Sequence, residues 1–309
     1  MSNEVLTVSP QTLQDMKKYY TMNLKPKTPP GGLFAAKKST VNITAYLSGK
    51  VLFQGATAQQ EAALWSGKSS QGVTSKKNTK DLNTPLPKDF KHWSVIGSDE
   101  VGNGSYFGPL TVVAAYVDKN HFALLKELGV RDSKDMKDPE IRKVASDLIT
   151  FLPHSLLTVL PSKYNAIQPT MTQGKMKAVL HNQALGHVLN KIYPIVPDGI
   201  LIDQFELPST YFKHIQDQPK QIKENLYFQT KGESHHLAVA AASIIARYAF
   251  LTSLDTMTKE AGIAIPSGAG SHADLIAARL LKRGGLSLLG KYAKLHFANT
   301  QKAQKIAGL

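Results

Sequence analysis

SVIGSDEVGNGSYFGPLTVVAAYV, residues 94–117, is the stretch that decides how this chain is read. A short apolar run, Ser94 to Ile96, leads into the acidic pair Asp99-Glu100 and then into a turn carrying Gly102 and Gly104. Leu110 to Val117 follows as a strongly apolar run. Strand, glycine-rich turn and strand, with acids at the turn, make a unit that recurs in α/β sheets.

Downstream, apolar periodicity predicts helices over Ala123 to Leu128, Ile141 to Leu152 and Lys175 to Ile192. Strands are expected at Gly199 to Asp203 and Leu226 to Thr230, before a long helix from about Ser234 to Leu254. Further helices are expected around Ala273 to Leu281, Leu286 to Leu295 and Asn299 to Ile306. Strands alternating with helices over residues 88–309 predict one α/β domain with C-terminal helices.

Upstream, VLTVS suggests a strand, and Ser9-Pro10 supplies an N-cap followed by proline at the first helical position. Leu13, Met16, Lys17 and Tyr20 continue at helical spacing. Val41, Ile43, Ala45 and Leu47 alternate with Asn42, Thr44 and Tyr46, and Ser48-Gly49 turns the chain into Lys50 to Phe53, a hairpin. Thr57 and Gln60 form a capping box opening a helix through Trp65, which Gly67 can close. Residues 1–66 thus predict a small α+β domain with one sheet face free for a partner. Residues 67–87, rich in Ser, Gly, Lys, Asn, Thr and Pro, predict a linker.

Composition narrows the function. The chain has 309 residues, 37 Lys and Arg against 23 Asp and Glu, and no cysteine, which excludes disulfide scaffolds, thiolate metal sites and cysteine nucleophiles. Residues 1–90 hold 12 Lys, no Arg and five acids, so less than a third of the chain carries half of the +14 net charge. That balance points to a polyanionic partner. Residues 1–30 have no apolar stretch of the secretory kind. The most apolar run, Leu237 to Ala246, is about half the roughly 20 residues of a spanning helix. A cytoplasmic protein with no membrane partner is expected.

Acids at strand ends carry the chemistry. Asp99 and Glu100 close the first strand, Asp203 closes the strand beginning at Gly199, and Glu233 stands just before the long helix. Neighbouring strand residues point to opposite faces, so Asp99 and Glu100 are expected to share a site only where the backbone departs from regular pleating, helped by Gly97, Gly102 and Gly104. Clustered carboxylates repel one another, and a hard dication such as Mg2+ relieves that conflict. Two such ions, about 4 Å apart, can activate a water and stabilise a leaving oxygen at a phosphodiester.

Several segments closely resemble the type 2/type 3 ribonuclease H family: GSDEVGNGSYFGPL at 97–110, RDSKDM at 131–136, LIDQFE at 201–206 and KGESHHLAVAAASIIAR at 231–247. PPGGLFAAKKSTVNITAYLSGKVLFQG at 29–55 looks like the N-terminal extension of the type 3 enzymes, similar to half of the TATA-box-binding-protein fold. The resemblance implies a ribonuclease H-like domain with a mixed central sheet flanked by helices. It also implies endonucleolytic cutting of the RNA strand of RNA/DNA hybrids with Mg2+ or Mn2+, leaving 5′-phosphate and 3′-hydroxyl ends. The family's catalytic and metal-holding acids fall on Asp99, Glu100, Asp203 and Glu233. Glu233 stands where type 2 enzymes have Asp, Asn103 where they have Arg, and PSGAGSHAD at 266–274 lacks their tyrosine.

Gly102, Asn103 and Gly104 are expected to bring backbone groups to the 2′-hydroxyl. Ser133 and Lys134 are candidate phosphate contacts, or a solvated loop whose turn Asp132 caps. Lys25, Lys27, Lys37, Lys38 and Lys50, with Tyr46, are candidate contacts of the extension to the hybrid. His235 and His236 are expected to be structural, and Asn182 and Gln183 to reach the DNA strand or lie solvated. A monomer is expected. Two readings stand beside the first: specificity for single embedded ribonucleotides, as in type 2 enzymes, and a non-catalytic hybrid-binding protein. Clustered negative charge near a phosphate argues against the second.

Overall fold

The computed structural model describes residues 2–29, 31–66 and 85–309, and the chain divides into two compact units, Met1–Lys80 and Asp81–Leu309. The expected linker falls mostly outside the described residues, as does Gly67.

In the first unit the order is β1 (Ser2–Thr7), α1 (Pro10–Tyr19), β2 (Gly32–Lys38), β3 (Val41–Tyr46), β4 (Lys50–Gly55) and α2 (Ala58–Ser66). Ser9 Oγ accepts from Thr12 N–H and starts α1, as its sequence predicts. The four strands form an antiparallel sheet in the order β1-β4-β3-β2. Val41, Ile43 and Ala45 are buried while Asn42, Thr44 and Tyr46 are not, so strand alternation gives the sheet one core face. Leu13 and Met16 of α1 and Ala62 and Trp65 of α2 pack on that face with Phe34, Ile43 and Phe53. Cross-strand register places Asn42 opposite both Lys37 and Gln54 on the other face. Leu47 was expected to extend β3, but it lies in the turn and is 74% exposed.

The second unit runs β5 (Val95–Val101), β6 (Leu110–Val117), α3 (Phe122–Glu127), α4 (Asp138–Phe151), β7 (His154–Val159), α5 (Pro161–Ile167), α6 (Gln173–Ile192), β8 (Gly199–Asp203), α7 (Pro208–Ile215), β9 (Leu226–Gln229), α8 (Leu237–Ala261), α9 (Ser271–Tyr292) and α10 (Ala298–Ala307). Its sheet is mixed, in the order β7-β6-β5-β8-β9. β5, β6 and β7 pair antiparallel, and β8 and β9 run parallel to β5. One face of the sheet packs on α4 and α8, the other on α6 and α7. α8 is long and apolar enough by composition to cross a membrane, and 67% of its most apolar window is buried in this fold. A Cβ at Gly97 would stand 2.2 Å from the backbone of Ala238, so the absence of a side chain lets the start of α8 press against β5.

Four elements had no expected span: β2, β7, α5 and α7. α9 joins the two helices expected over 273–281 and 286–295, with non-helical backbone at Gly284 and Gly285 marking the break.

Candidate active site

The pleat does not break at the acidic pair, contrary to expectation. β5 continues through Val101, with Asp99 opposite Val113 and Glu100 opposite Val112 of β6. Pairing of β5 with β8 stops at Ser98 and Ile202, which puts Asp99 level with Asp203, the last residue of β8, and Glu100 beyond the end of that strand. They point to opposite faces: Asp99 lies on the α8 face beside Ser243, and Glu100 reaches α6. Asp203 ends β8 and accepts from Gly232 N–H at 2.7 Å. Glu233 follows on a single 3-10 turn that leads into α8. Three chain segments thus bring the four acids to one end of the sheet.

The electrostatics follow from burial and proximity. Asp99 is pushed well above the ordinary carboxylate value by burial first, then by the charges of Asp203 and Glu100. Asp203 is raised by burial, with Glu233 and Glu100 adding to the rise and the Gly232 bond opposing it. Glu100 goes the other way. Burial raises it, but the His181 bond and charge, with Lys177, outweigh burial and hold it below the ordinary value. Lys177 Nζ donates to Glu100 Oε1 at 2.8 Å, and His181 Nε2 lies 3.1 Å from Oε2. Lys134 pairs with Glu233 Oε1, while Glu233 Oε2 is buried without a protein partner among the described residues.

With the side chains as they stand, no three His, Asp or Glu among the described residues converge closely enough to hold an ion. The donor set nevertheless fits a hard dication, because all four groups are carboxylates. Two of them, Asp99 and Asp203, are pushed up by burial and by the charges of neighbouring carboxylates, and one oxygen of Glu233 is buried without a partner among the described residues. Lys134 and Gly232 N–H occupy carboxylate oxygens that a cation would compete for.

The loop after β5 is tightly built. Gly102 has φ +94°, and a Cβ there would meet Pro109 O at 2.1 Å. Gly104 is exposed with nothing within 4 Å of a Cβ position. Asn103 O accepts from Gln173 Nε2 at the start of α6. Lys294, fully buried, donates to the carbonyls of Ser105 and Gly108 at 2.8 and 2.6 Å.

Other expected contacts are placed differently. Ser133 is buried and its hydroxyl meets Ser243 Oγ at 2.8 Å, so it packs inward rather than facing a phosphate. Asp132 caps the local turn through Lys134 N–H. Asn182 is also buried, held by Lys220 O and Ile222 N–H, and braces the 220–222 loop instead of reaching outward. His236 caps α8: its Nδ1 accepts from Ala238 N–H at 3.0 Å, and Nε2–H donates to Trp93 O at 3.2 Å. In the first unit Lys25, Lys27, Lys37 and Lys50 are exposed, with Lys25 Nζ donating to Asn42 Oδ1. Lys38 lies on the core-facing side of β2, and its ammonium is taken by Glu61 at 2.9 Å and Tyr19 at 3.1 Å. That removes it from the set of lysines free for phosphate.

Sequence reasoning passed over Lys177 and His181. Their signal was available: a lysine and a histidine four residues apart on the same helical stripe as the buried Ala178, Ala184 and Leu185.

Comparison with known proteins gives the family. Ribonuclease HIII of Enterococcus faecalis is 54% identical over 98% of this chain and 99% of its own length. Ribonuclease HIII of Bacillus subtilis is 51% identical over 99% and 98%. Among solved structures, Bst-RNase HIII in complex with Mn2+ aligns over 99% of both chains at 42% identity with a TM-score of 0.69. A family model described as a domain of unknown function, DUF3378, matches residues 3–79. The Ribonuclease HII family model matches residues 96–300, which contain all four acids and the loop behind them, and the chain belongs to that family, among its ribonuclease HIII members.

Proposed function

We propose that this chain cuts the RNA strand of RNA/DNA hybrids endonucleolytically, using two Mg2+ or Mn2+ ions and leaving 5′-phosphate and 3′-hydroxyl ends. It is an endoribonuclease by family, and one observation carries the specific reading: Asp99 is buried in β5 level with Asp203 at the end of β8, where the charges of Asp203 and Glu100 oppose its ionisation. A site that destabilises its own carboxylates is built for a cation.

Asp99, Glu100, Asp203 and Glu233 would hold the ions. Bound there, Mg2+ or Mn2+ would lower the pKa of an attacking water and neutralise charge on the leaving oxygen. The chain's own residues do the rest. Gly104 leaves the backbone bare beside Asn103, so main-chain groups can approach a 2′-hydroxyl in a shallow minor groove. Gln173 and Lys294 keep that loop in place. Lys134, 69% exposed and paired with Glu233, can reach a phosphate when an ion takes over that carboxylate. The open sheet face of the first unit, with Lys37, Lys50, Asn42 and Tyr46, supplies a basic platform for the duplex, and Lys25 and Lys27 add charge. We place the protein in the cytoplasm as a monomer.

The test is incubation with a long RNA/DNA hybrid and with duplex DNA carrying one ribonucleotide, with Mg2+, with Mn2+ and with chelator. Metal-dependent cutting of the hybrid alone is expected. Binding without cutting, or equal cutting of both substrates, would overturn the proposal.

A further inference from the structure

Glu100 is held by a device that no catalytic role has yet absorbed. Lys177 and His181 stand one turn apart on α6 and each takes one oxygen of the same carboxylate. All three side chains are buried, at 8%, 0% and 9% exposure for Lys177, His181 and Glu100. The far nitrogen of His181, Nδ1, meets Ser98 Oγ at 2.6 Å, so the ring is fixed from both ends. Phe205 completes the assembly. Its ring stacks on His181 with centroids 5.0 Å apart and planes 23° from parallel, and Lys177 Nζ sits 4.1 Å from its centroid. Phe205 is two residues beyond Asp203. The bracket therefore joins the segment bearing Glu100 to the segment bearing Asp203.

Resting on the reading above, we propose that Lys177, His181 and Phe205 form a positioning bracket that presets Glu100 for metal and fixes its placement relative to Asp203. A carboxylate offers about four lone-pair sites. Each donor uses one, which locks the rotation of the group and leaves one site on each oxygen for a cation. Groups that hydrogen-bond to metal-ligating carboxylates set ligand orientation, and their loss costs about 10- to 100-fold in metal affinity or activity. Lys177 and His181 are buried and meet Glu100 from the α6 side.

The experiment uses the full chain. His181→Phe keeps the ring for Phe205 but removes both nitrogens, and Lys177→Met keeps the stem but removes the ammonium. Mn2+ binding is measured by calorimetry without substrate, kcat and KM are measured on the hybrid, and melting without metal verifies folding. Each variant is expected to bind Mn2+ about tenfold more weakly and to lose about tenfold or more in kcat, with KM for the hybrid within about twofold of wild type. Lys177→Arg, which retains a donor, is expected to recover part of both losses; should Lys177→Met fail to fold, this variant and His181→Phe still decide the matter. Unchanged Mn2+ binding and kcat would overturn the bracket. Tighter Mn2+ binding would also overturn it, since the two residues would then be competitors of the ion. Failure of the wild-type chain to bind Mn2+ or cut hybrid would instead sink the proposed function, so the two failures are distinguishable.

Discussion

Asp99 and Glu100 are adjacent in β5 yet serve opposite faces of the sheet, Asp99 toward α8 and Glu100 toward Lys177 and His181 of α6. The fold thereby gives two neighbouring carboxylates opposite electrostatic settings: one is pressed toward its neutral form and the other is held ionised. Both lie where β5 is no longer paired with β8, Asp99 level with Asp203 and Glu100 one residue beyond it.

Asp99→Asn separates chemistry from stability. The substitution removes an acid proposed to hold metal, so cutting of hybrid should fall by at least about 10²-fold, on the scale of losing one preorganised charge-stabilising group. The raised folded-state value means that ionised Asp99 weakens the metal-free fold, and that this weakness is relieved as pH falls through the raised value. Metal-free melting of the variant at neutral pH should therefore lie at or above wild type, with the difference shrinking in acid. A clear drop at neutral pH would contradict the repulsive arrangement.

His236 predicts an acid-sensitive helix start. Burial lowers its folded value to about 4 from 6.5, and its neutral form alone can both accept from Ala238 N–H and donate to Trp93 O. The unfolded chain binds the proton more readily, so this contribution is intact above pH 6.5 and is lost as pH falls toward 4, about 3 kcal/mol at most. His236→Asn keeps an N-cap acceptor that does not titrate. Urea unfolding of both proteins from pH 7 to pH 4 should show wild type losing stability relative to the variant; parallel curves would be the contrary result.

Two glycines of one loop should respond differently. Gly102→Ala forces a side chain into φ +94° and against Pro109 O, so it should cost more than about 1 kcal/mol of stability. Gly104→Ala meets nothing within the protein and should melt as wild type does. If backbone next to Asn103 approaches the hybrid, the second variant should raise KM several-fold with its fold intact. A wild-type KM for Gly104→Ala would remove that loop from substrate contact.

Salt dependence tests the basic face. Replacing Lys25, Lys27, Lys37 and Lys50 by Ala should flatten the plot of log affinity against log salt by roughly 3 to 4 units if each meets a phosphate, at about 0.9 per contact. Lys38→Ala should leave that slope unchanged, because its ammonium is bound to Glu61 and Tyr19. A change in slope for Lys38→Ala would mean that the pairing opens on substrate.

Much of this was legible in the chain because periodicity and turn chemistry are local. Ser9-Pro10 opened α1, the alternation over Val41 to Tyr46 gave β3, and the acids were found from the ends of apolar runs. β7 and α7 were missed because His154 to Val159 and Pro208 to Ile215 are short, and pairing with neighbours decides them more than their own pattern does. The orientation of Ser133 and Asn182 depends on partners more than 35 residues away, Ser243 and the 220–222 loop, which no local pattern encodes. The same holds for Lys38: only the assembled sheet shows that its strand position turns it toward Glu61.

Gly97 sets a spacing on which the acids depend. It lies two residues before Asp99, and the helix start it touches lies a few residues after Glu233. An alanine here would act as a shim, prying α8 off β5 and carrying the Glu233 turn away from the Asp99 side chain. The gauge of the catalytic gap is thus written at a position with no side chain, and a single methyl group would be enough to open it.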